Sequence, residues 1–394
     1  MRAALARKGA AETFDELLAA DEAWRAATGE VERLRAATKV NSRPSPEERA
    51  ALAVAKRALR AAEESLEEQA TRRDALLAAV PNPPDASVPD GGEDEGSVVR
   101  VVGEPPDFDF KPRDHLELGG FDVERGARLS GARFAYRVGP VALLELALYR
   151  YALEAVVAEG FVPVLPPVLV REEAMFGTGF LPTEASNLYR VEPDGLYLTG
   201  TSEVALAGMH LGEILEEGAL PLRYCGYSTC FRREAGAAGR DTRGVFRVHQ
   251  FDKVEMFVWT TPEESASEHE RLLALEERLA TGLGLTYRVV NIAAGDLGAP
   301  AAKKYDIEAW IPSQQRFREI SSCSNTTDYQ ARRLGTRYRA DGELRHPHTL
   351  NGTAMTARWL IALLETFQDQ DGRVAIPEVL WRFGAPEHVG VAGR

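Results

Sequence analysis

Two matched heptad stripes, separated by a break that no helix can cross, occupy the first 80 residues and constrain the fold more than any other feature. Leu17, Trp24 and Val31 fall seven apart, with Ala20, Ala27 and Leu34 three residues after each. Leu52, Leu59 and Leu66 repeat the spacing, joined by Ala55, Ala62 and Leu76. An apolar stripe sustained in this way predicts a coiled-coil face. Between the stripes lies Asn-Ser-Arg-Pro-Ser-Pro, whose prolines lack the N–H that a helix needs. Ser45, Pro46 and Glu48 then supply an N-cap, a first-turn proline and a capping-box carboxylate for a new helix. So short a break folds the second helix back antiparallel on the first. Helices of about 28 residues would each extend roughly 40 Å. Around the turn, between Val31 and Arg60, stand eight cations: Arg33, Arg35, Lys39, Arg43, Arg49, Lys56, Arg57 and Arg60. Only Glu32, Glu47 and Glu48 oppose them, so this window is 8 − 3 = +5 in a chain whose net charge is −13. It is either a solvated helical face or a grip on a polyanion.

The remaining chain has room for a second, larger domain: 394 residues in all, 44% hydrophobic and 27% charged. No stretch approaches the roughly 20 uncharged apolar residues of a membrane span. The first residues lack the apolar core of a signal peptide. Cys225, Cys230 and Cys323 are too few for a disulfide framework. A cytoplasmic, enzyme-sized protein is expected, with no membrane partner and no DNA partner. After Val80 the segment PNPPDASVPDGGEDEG reads as a linker. The expected division is a coiled-coil arm over 1–85, a linker over 86–106 and a catalytic domain over 107–394. Within the last, helices are expected at Pro140–Glu159, from the Thr261-Pro262-Glu264 cap to Gly282, and from about Thr353 to Phe367. Strands are expected at Phe161–Val170 and Phe246–Trp259. This mixture predicts an α+β fold with a mostly antiparallel sheet flanked by helices.

Common phosphate-loop, zinc-protease and paired-cysteine signatures are missing. Cys225 and Cys230 have no clustered histidine, and His346 and His348, flanking Pro347, have no carboxylate beside them, so no zinc is expected. Chemistry concentrates instead in Cys230–Glu255, CFRREAGAAGRDTRGVFRVHQFDKVE, which reads as strand, glycine-rich loop, strand. Arg232 and Glu234 share one face of the first strand. Arg247, His249, Phe251, Lys253 and Glu255 share one face of the second, and Phe246, Val248, Val254, Met256 and Val258 the other. An arginine fork, an aromatic ring and carboxylates on one surface suit phosphate, base and amino groups. A surface hairpin laced with salt bridges would look the same on these grounds alone.

This stretch also resembles motif 2 of class II aminoacyl-tRNA synthetases, and specifically the bacterial-type seryl-tRNA synthetases. The other family motifs occur in order. GFVPVLPPVLV (Gly160–Val170) resembles motif 1, with Pro167 as its proline; LTGTSEV (Leu198–Val204) resembles the serine-binding loop. EISSCSN (Glu319–Asn325) matches the strand before motif 3, and HTLNGTAMTARWLIALLE (His348–Glu365) matches motif 3, with Arg358 as its arginine. The N-terminal hairpin resembles the family's tRNA-holding arm. One departure is Arg233, where the family has a small residue.

The resemblance implies activation of serine by ATP to seryl-adenylate, then transfer to tRNA(Ser), with tRNA(Sec) left open as a second acceptor. It implies a homodimer through motif 1, Mg²⁺ as the metal and no zinc. By carry-over, Arg232 and Arg358 act on the phosphates as the catalytic pair. Arg233, Glu234, Val248, Phe251, Glu319, Ile320, Ser321 and Ser322 join them around ATP. Glu319 and Ser322 hold Mg²⁺, while Thr201, Ser202, Glu203, Glu255 and Thr353 hold serine. The eight cations at the turn of the arm become the tRNA grip. Because positions 319 and 322 are three apart, a regular strand would point them to opposite faces, so a bulge or strand end is required there. Two other functions fit parts of the chain: amino-acid activation for a non-tRNA carrier, which would leave the arm without purpose, and RNA binding without catalysis, which would leave the ATP and serine residues without purpose.

Overall fold

In the computed structural model, which describes residues 1–39, 45–216, 218–235, 241 and 244–390, the heptad stripes become two long helices. α1 spans Ala11–Thr38 and α2 spans Pro46–Ala79. The capping box forms as expected: Glu48 N–H donates to Ser45 Oγ at 3.2 Å, and Ser45 N–H donates to Glu48 Oε2 at 2.6 Å. Arg35 pairs with Glu63 at 2.8 Å, and the Arg73 guanidinium lies 3.8 Å from the centre of the Trp24 ring. Residue number falls on one helix as it rises on the other, the signature of antiparallel packing. Ala20 and Val31, both stripe residues, are buried in the seam. A short helix, Arg2–Ala6, precedes the pair and buries Leu5. The second helix, at 34 residues, is longer than expected because its alanine-rich sequence keeps helical propensity up to Ala79.

The chain divides into two compact units, Met1–Pro84 and Asp85–Arg394. The expected linker 86–106 is only partly one, because Ser97–Val102 forms strand β1 at the edge of the main sheet. The other strands of that sheet are β2 (Val162–Val164), β3 (Leu222–Phe231), β4 (Gln250–Thr260), β5 (Tyr287–Asn291), β6 (Lys303–Ile311), β7 (Arg316–Thr327) and β8 (His348–Thr356). Their spatial order is β1-β5-β6-β7-β8-β4-β3-β2. Every pairing is antiparallel except β2 with β3.

Three helices, α3 (Pro140–Val157), α4 (Ser265–Gly282) and α5 (Ala357–Thr366), share one hydrophobic core with this sheet. The period-2 pleat sorts the side chains. Val254, Met256 and Val258 of β4 and Leu350 and Ala354 of β8 enter the helix-covered core. The residues between them, Lys253 and Glu255 of β4 and Asn351 and Thr353 of β8, line a cavity.

Three expected elements differ from the structure. Phe246–His249 leaves the ladder: His249 N–H donates to Arg133 O at 3.1 Å, and Arg232 N–H donates to His249 O at 2.9 Å, closing the end of the hairpin. The helix expected from Thr353 begins only at Ala357. Thr349, Thr353 and Thr356 fit a pleated strand, and Thr356 Oγ1 caps the helix by accepting from Arg358 N–H at 3.3 Å. Phe161–Val170 is split by Pro166 and Pro167: Val162–Val164 joins the main sheet, whereas Leu169–Arg171 pairs with Leu196–Leu198 in a separate small sheet.

The arm has a thin seam, so Val31→Asp is expected to destabilise it by at least about 3 kcal/mol through a buried, unpaired charge. Far-UV circular dichroism should show helix lost at lower temperature, while tryptophan fluorescence measured in a Trp24→Phe background, which leaves only the tryptophans of the second unit, keeps its midpoint. A common downward shift of both signals would show that the units do not melt separately.

Candidate active site

On the sheet face left free by the helices lies a cavity of about 490 Å³. Its floor depends on two interruptions of strand register. Between β6 and β7, Ser321 pairs with Ile307 but Glu319 pairs with Glu308, so Ile320 is the extra residue of a bulge. The bulge reverses the pleat and turns Glu319 and Ser322 to the same face, as a shared site for the two residues requires. Between β4 and β8, Val254 pairs with Met355 but Glu255 pairs with Thr353, which skips Ala354. Glu255 and Thr353 therefore stand directly opposite each other.

At one end basic side chains, Arg232, Lys304 and Arg358, gather around the Glu319 carboxylate. Arg358 Nη1 donates to Glu319 O at 3.1 Å and to Glu319 Oε2 at 3.0 Å. Burial opposes the Glu319 charge, but Arg358 and Lys304 outweigh it and hold the carboxyl at about 2. Lys304 Nζ lies 2.9 Å from Asp306 Oδ1. Burial opposes its charge too, yet Asp306 and Glu319 lift its pKa above the ordinary lysine value. The Phe246 ring lies between two guanidinium groups, Arg318 at 3.9 Å and Arg358 at 4.8 Å. Arg232 Nε donates to Gly200 O at 3.1 Å, and its guanidinium stands 5.2 Å from the centre of the Phe251 ring. Glu234, just beyond β3 and with a left-handed backbone (φ 54°), is paired with Arg247.

At the other end two buried acids converge. Glu255 Oε2 accepts from Thr353 Oγ1 at 3.2 Å and pairs with Lys253 Nζ at 2.5 Å. Glu203 accepts from Gln330 Nε2 at 2.7 Å. Burial, reinforced by the neighbouring Glu255 charge, pushes the Glu203 carboxyl up to about 7. Thr201 Oγ1 accepts from Glu203 N–H at 3.2 Å, which fixes the turn that presents both residues.

Thirteen of the residues expected around ATP and serine line this cavity; Ser202 and Arg233 do not. Ser202 is fully buried, and its hydroxyl donates to Gly226 O at 3.3 Å, so it supports the turn from behind. Arg233 lines a separate depression. The expected RNA-gripping cations Arg33, Arg35, Lys39, Arg49, Lys56, Arg57 and Arg60 are exposed on the arm, while Arg43 falls outside the described residues. Lys304 and Asn351 also line the cavity and were not singled out from sequence; Lys253 was placed on the correct face without a role. The alternation Lys304, Asp306 puts both on one face of β6, and the register of β6 with β7 makes that the Glu319 side.

A family model described as the tRNA synthetase class II core domain (G, H, P, S and T) matches residues 189–367. The serine–tRNA ligase of Thermobifida fusca (strain YX) is 51% identical, over 97% of this chain and 94% of its own length. A crystal structure of seryl-tRNA synthetase from Pyrococcus horikoshii complexed with ATP superposes with a TM-score of 0.91 at 40% identity, covering 99% of this chain and 96% of that one. The cytoplasmic serine–tRNA ligase of Naegleria fowleri in complex with AMP gives a TM-score of 0.87 at 34% identity, covering 100% of this chain and 95% of that one.

Proposed function

The chain belongs to the serine–tRNA ligase family of class II aminoacyl-tRNA synthetases, and from that premise we propose how its own residues carry out the ligation. The serine carboxylate attacks the α-phosphorus of ATP; the bond to the β-phosphate breaks, giving seryl-adenylate and pyrophosphate. A terminal ribose hydroxyl of tRNA(Ser) then attacks the seryl carbonyl, and AMP leaves. The observation that carries this reading is one cavity holding a two-arginine clamp at one end and a buried acid pair at the other.

Each end has its own task. Arg232 takes the α-phosphate and Arg358 the outer phosphates, as planar donors around a developing polyanion. Phe251 offers its ring to adenine, and Glu234 its carboxylate to the adenine amino group, at the cost of loosening its pair with Arg247. Val248, Ile320 and Ser321 shape the wall beside the nucleotide. Glu319 and Ser322, turned to one face by the bulge, present two oxygens of the type that hard divalent cations accept. Mg²⁺ fits that donor set and would neutralise phosphate charge; no zinc is used. Glu203 and Glu255 meet the serine ammonium, and Thr201 and Thr353 meet its polar groups. Alanine in place of serine would leave buried polar groups unpaired, a loss that discriminates strongly.

We assign the arm, through its exposed cations, to tRNA, and the enzyme to the cytoplasm. Leu143 and Leu146 of α3, with Val162 and Leu165 of the motif 1 segment, are exposed apolar side chains. They support a homodimer through this region. tRNA(Sec) remains a second acceptor to be assayed beside tRNA(Ser).

The activity test is serine-dependent ATP–pyrophosphate exchange followed by charging of tRNA(Ser). Arg358→Ala should lower exchange at least about a hundredfold, because a phosphate clamp in a water-poor site is worth several kcal/mol at the transition state. Near-wild-type exchange in a folded variant would remove Arg358 from the mechanism.

Serine affinity should depend on pH through Glu203. Below about 7 this carboxyl is neutral, with Glu255 and Lys253 as its nearest charged neighbours. Its charge, and hence its attraction for the ammonium, appears as pH rises. Serine Kd is expected to fall about tenfold between pH 6 and pH 8, the range over which such a group ionises. Glu203→Gln should bind serine more weakly at pH 8 and show no such slope. A slope unchanged in that variant would assign the titration elsewhere.

Replacing 33–60 by a short Gly-Ser turn separates the two half-reactions. Exchange is expected within a few-fold of wild type, because none of the cavity's lining residues lies in 33–60, and charging nearly abolished; in the wild type, charging should weaken as salt rises, through counterion release. Charging that survives would make the basic turn only a solvated face.

A further inference from the structure

His115 is buried, does not line the cavity, and has no task in the chemistry proposed above. Its backbone is pinned to the C-terminal end of α5. Arg113 N–H donates to Gln368 Oε1 at 2.8 Å, Gln368 Nε2 donates to Arg113 O at 3.0 Å, and His115 N–H donates to Glu365 Oε1 at 3.1 Å. From that anchor the ring bridges two segments. Nδ1 lies 3.0 Å from the same Glu365 oxygen, and Nε2 accepts from Val245 N–H at 3.2 Å. A nitrogen that accepts carries no proton, so the neutral ring holds its proton on Nδ1 and donates it to Glu365. Gly244, left-handed at φ 87°, lets the chain come this close: a Cβ there would stand 2.5 Å from His115 Nε2.

What the ring holds is a wall of the cavity. Val245 and Phe246 line it, yet both lie ahead of β4, which begins only at Gln250, so no ladder fixes them. Phe246 in turn touches Arg358: its carbonyl accepts from Arg358 Nε at 3.4 Å, and its ring lies 4.8 Å from that guanidinium. Arg358 stands in the first turn of α5 and Glu365 in the last. The connection therefore runs from the end of the helix, through His115, Val245 and Phe246, back to the guanidinium at its start. We propose that His115 is a positioning residue for the nucleotide: by accepting from Val245 N–H it holds Phe246 where carbonyl and ring orient Arg358. This rests on the assignment of Arg358 to the phosphates of ATP. The acid end of the cavity is held by other partners, Gln330 on Glu203 and Lys253 with Thr353 on Glu255, so the effect falls on ATP and spares serine.

Two substitutions divide the bonds of the ring between them. The amide nitrogen of Asn reaches as far as Nδ1, so His115→Asn keeps the bond to Glu365 and loses Val245; the amide oxygen of Gln reaches as far as Nε2, so His115→Gln keeps Val245. The measurement is serine-dependent ATP–pyrophosphate exchange by the full-length enzyme, with thermal unfolding to show that each variant is folded. His115→Asn should raise KM for ATP at least about fivefold and leave KM for serine within about twofold, whereas His115→Gln should keep both within about twofold. Gly244→Ala drives a methyl group into the same contact from the other side. It should reproduce the ATP effect with His115 untouched, and it carries the test if His115→Asn does not fold. A wild-type KM for ATP in folded His115→Asn or Gly244→Ala would overturn the inference. So would equal losses in the Asn and Gln variants, which would make the ring a packing element only, or a KM for serine that rises in step with that for ATP. Failure of the ligase reading itself would look different, since wild-type enzyme would then show no serine-dependent exchange.

Discussion

The ion pair between Glu319 and Arg358 is the contact on which the cavity depends. Arg358 sits in the first turn of α5, and Glu319 sits in β7 beside a bulge. Their bond joins the start of a core helix to the middle of the sheet. Without the Ile320 bulge, Glu319 would face the side opposite Ser322, and the cavity would lose either its acid or its hydroxyl. The same bond keeps the Glu319 carboxylate ionised at the cavity wall. Arg358 already has one partner, so its guanidinium is oriented before any ligand arrives. In the role proposed for it, preorganisation of this kind would supply electrostatic stabilisation without reorganisation during the reaction.

The opposite end of the cavity uses burial in the reverse sense. Glu203 and Glu255 are close enough for each charge to oppose the other, and both are nearly inaccessible to solvent. Lys253 balances one of them, and Gln330 gives the other a neutral hydrogen bond. The acid end thus lacks about one positive charge when Glu203 ionises, while the opposite end gathers arginines. A zwitterionic amino acid is complementary to this division of charge: under the proposed function its ammonium would complete the acid end and its carboxylate would face the arginine end.

Much of this was legible in the sequence where local rules govern. The heptads, the proline break and the Ser45 capping box predicted the arm, because coiled coils and caps are set by residues a few positions apart. The need for a bulge between Glu319 and Ser322 followed from strand parity once the resemblance had put both residues at one site. What was missed depended on contacts distant in sequence. Phe246–His249 reads as strand by alternation, yet His249 bonds to Arg133 and Arg232 and ends the ladder. Thr353–Thr356 reads as helix by its neighbours, yet pairing with β4 makes it strand. Arg233 shares a motif with Arg232, but β3 ends at Phe231 and the two adjacent arginines line different concavities. Lys304 went unassigned because its partner Asp306 and its neighbour Glu319 lie on two strands whose register no local rule specifies.

The charge of the chain bears on how it would handle RNA. A protein with net charge −13 repels a polyanion on average, so attraction must be local. One place meets that condition in the functional reading: the +5 window at the turn of the arm. Its described cations stand exposed on their helices, where salt screens them, so an attraction built on them weakens as ionic strength rises.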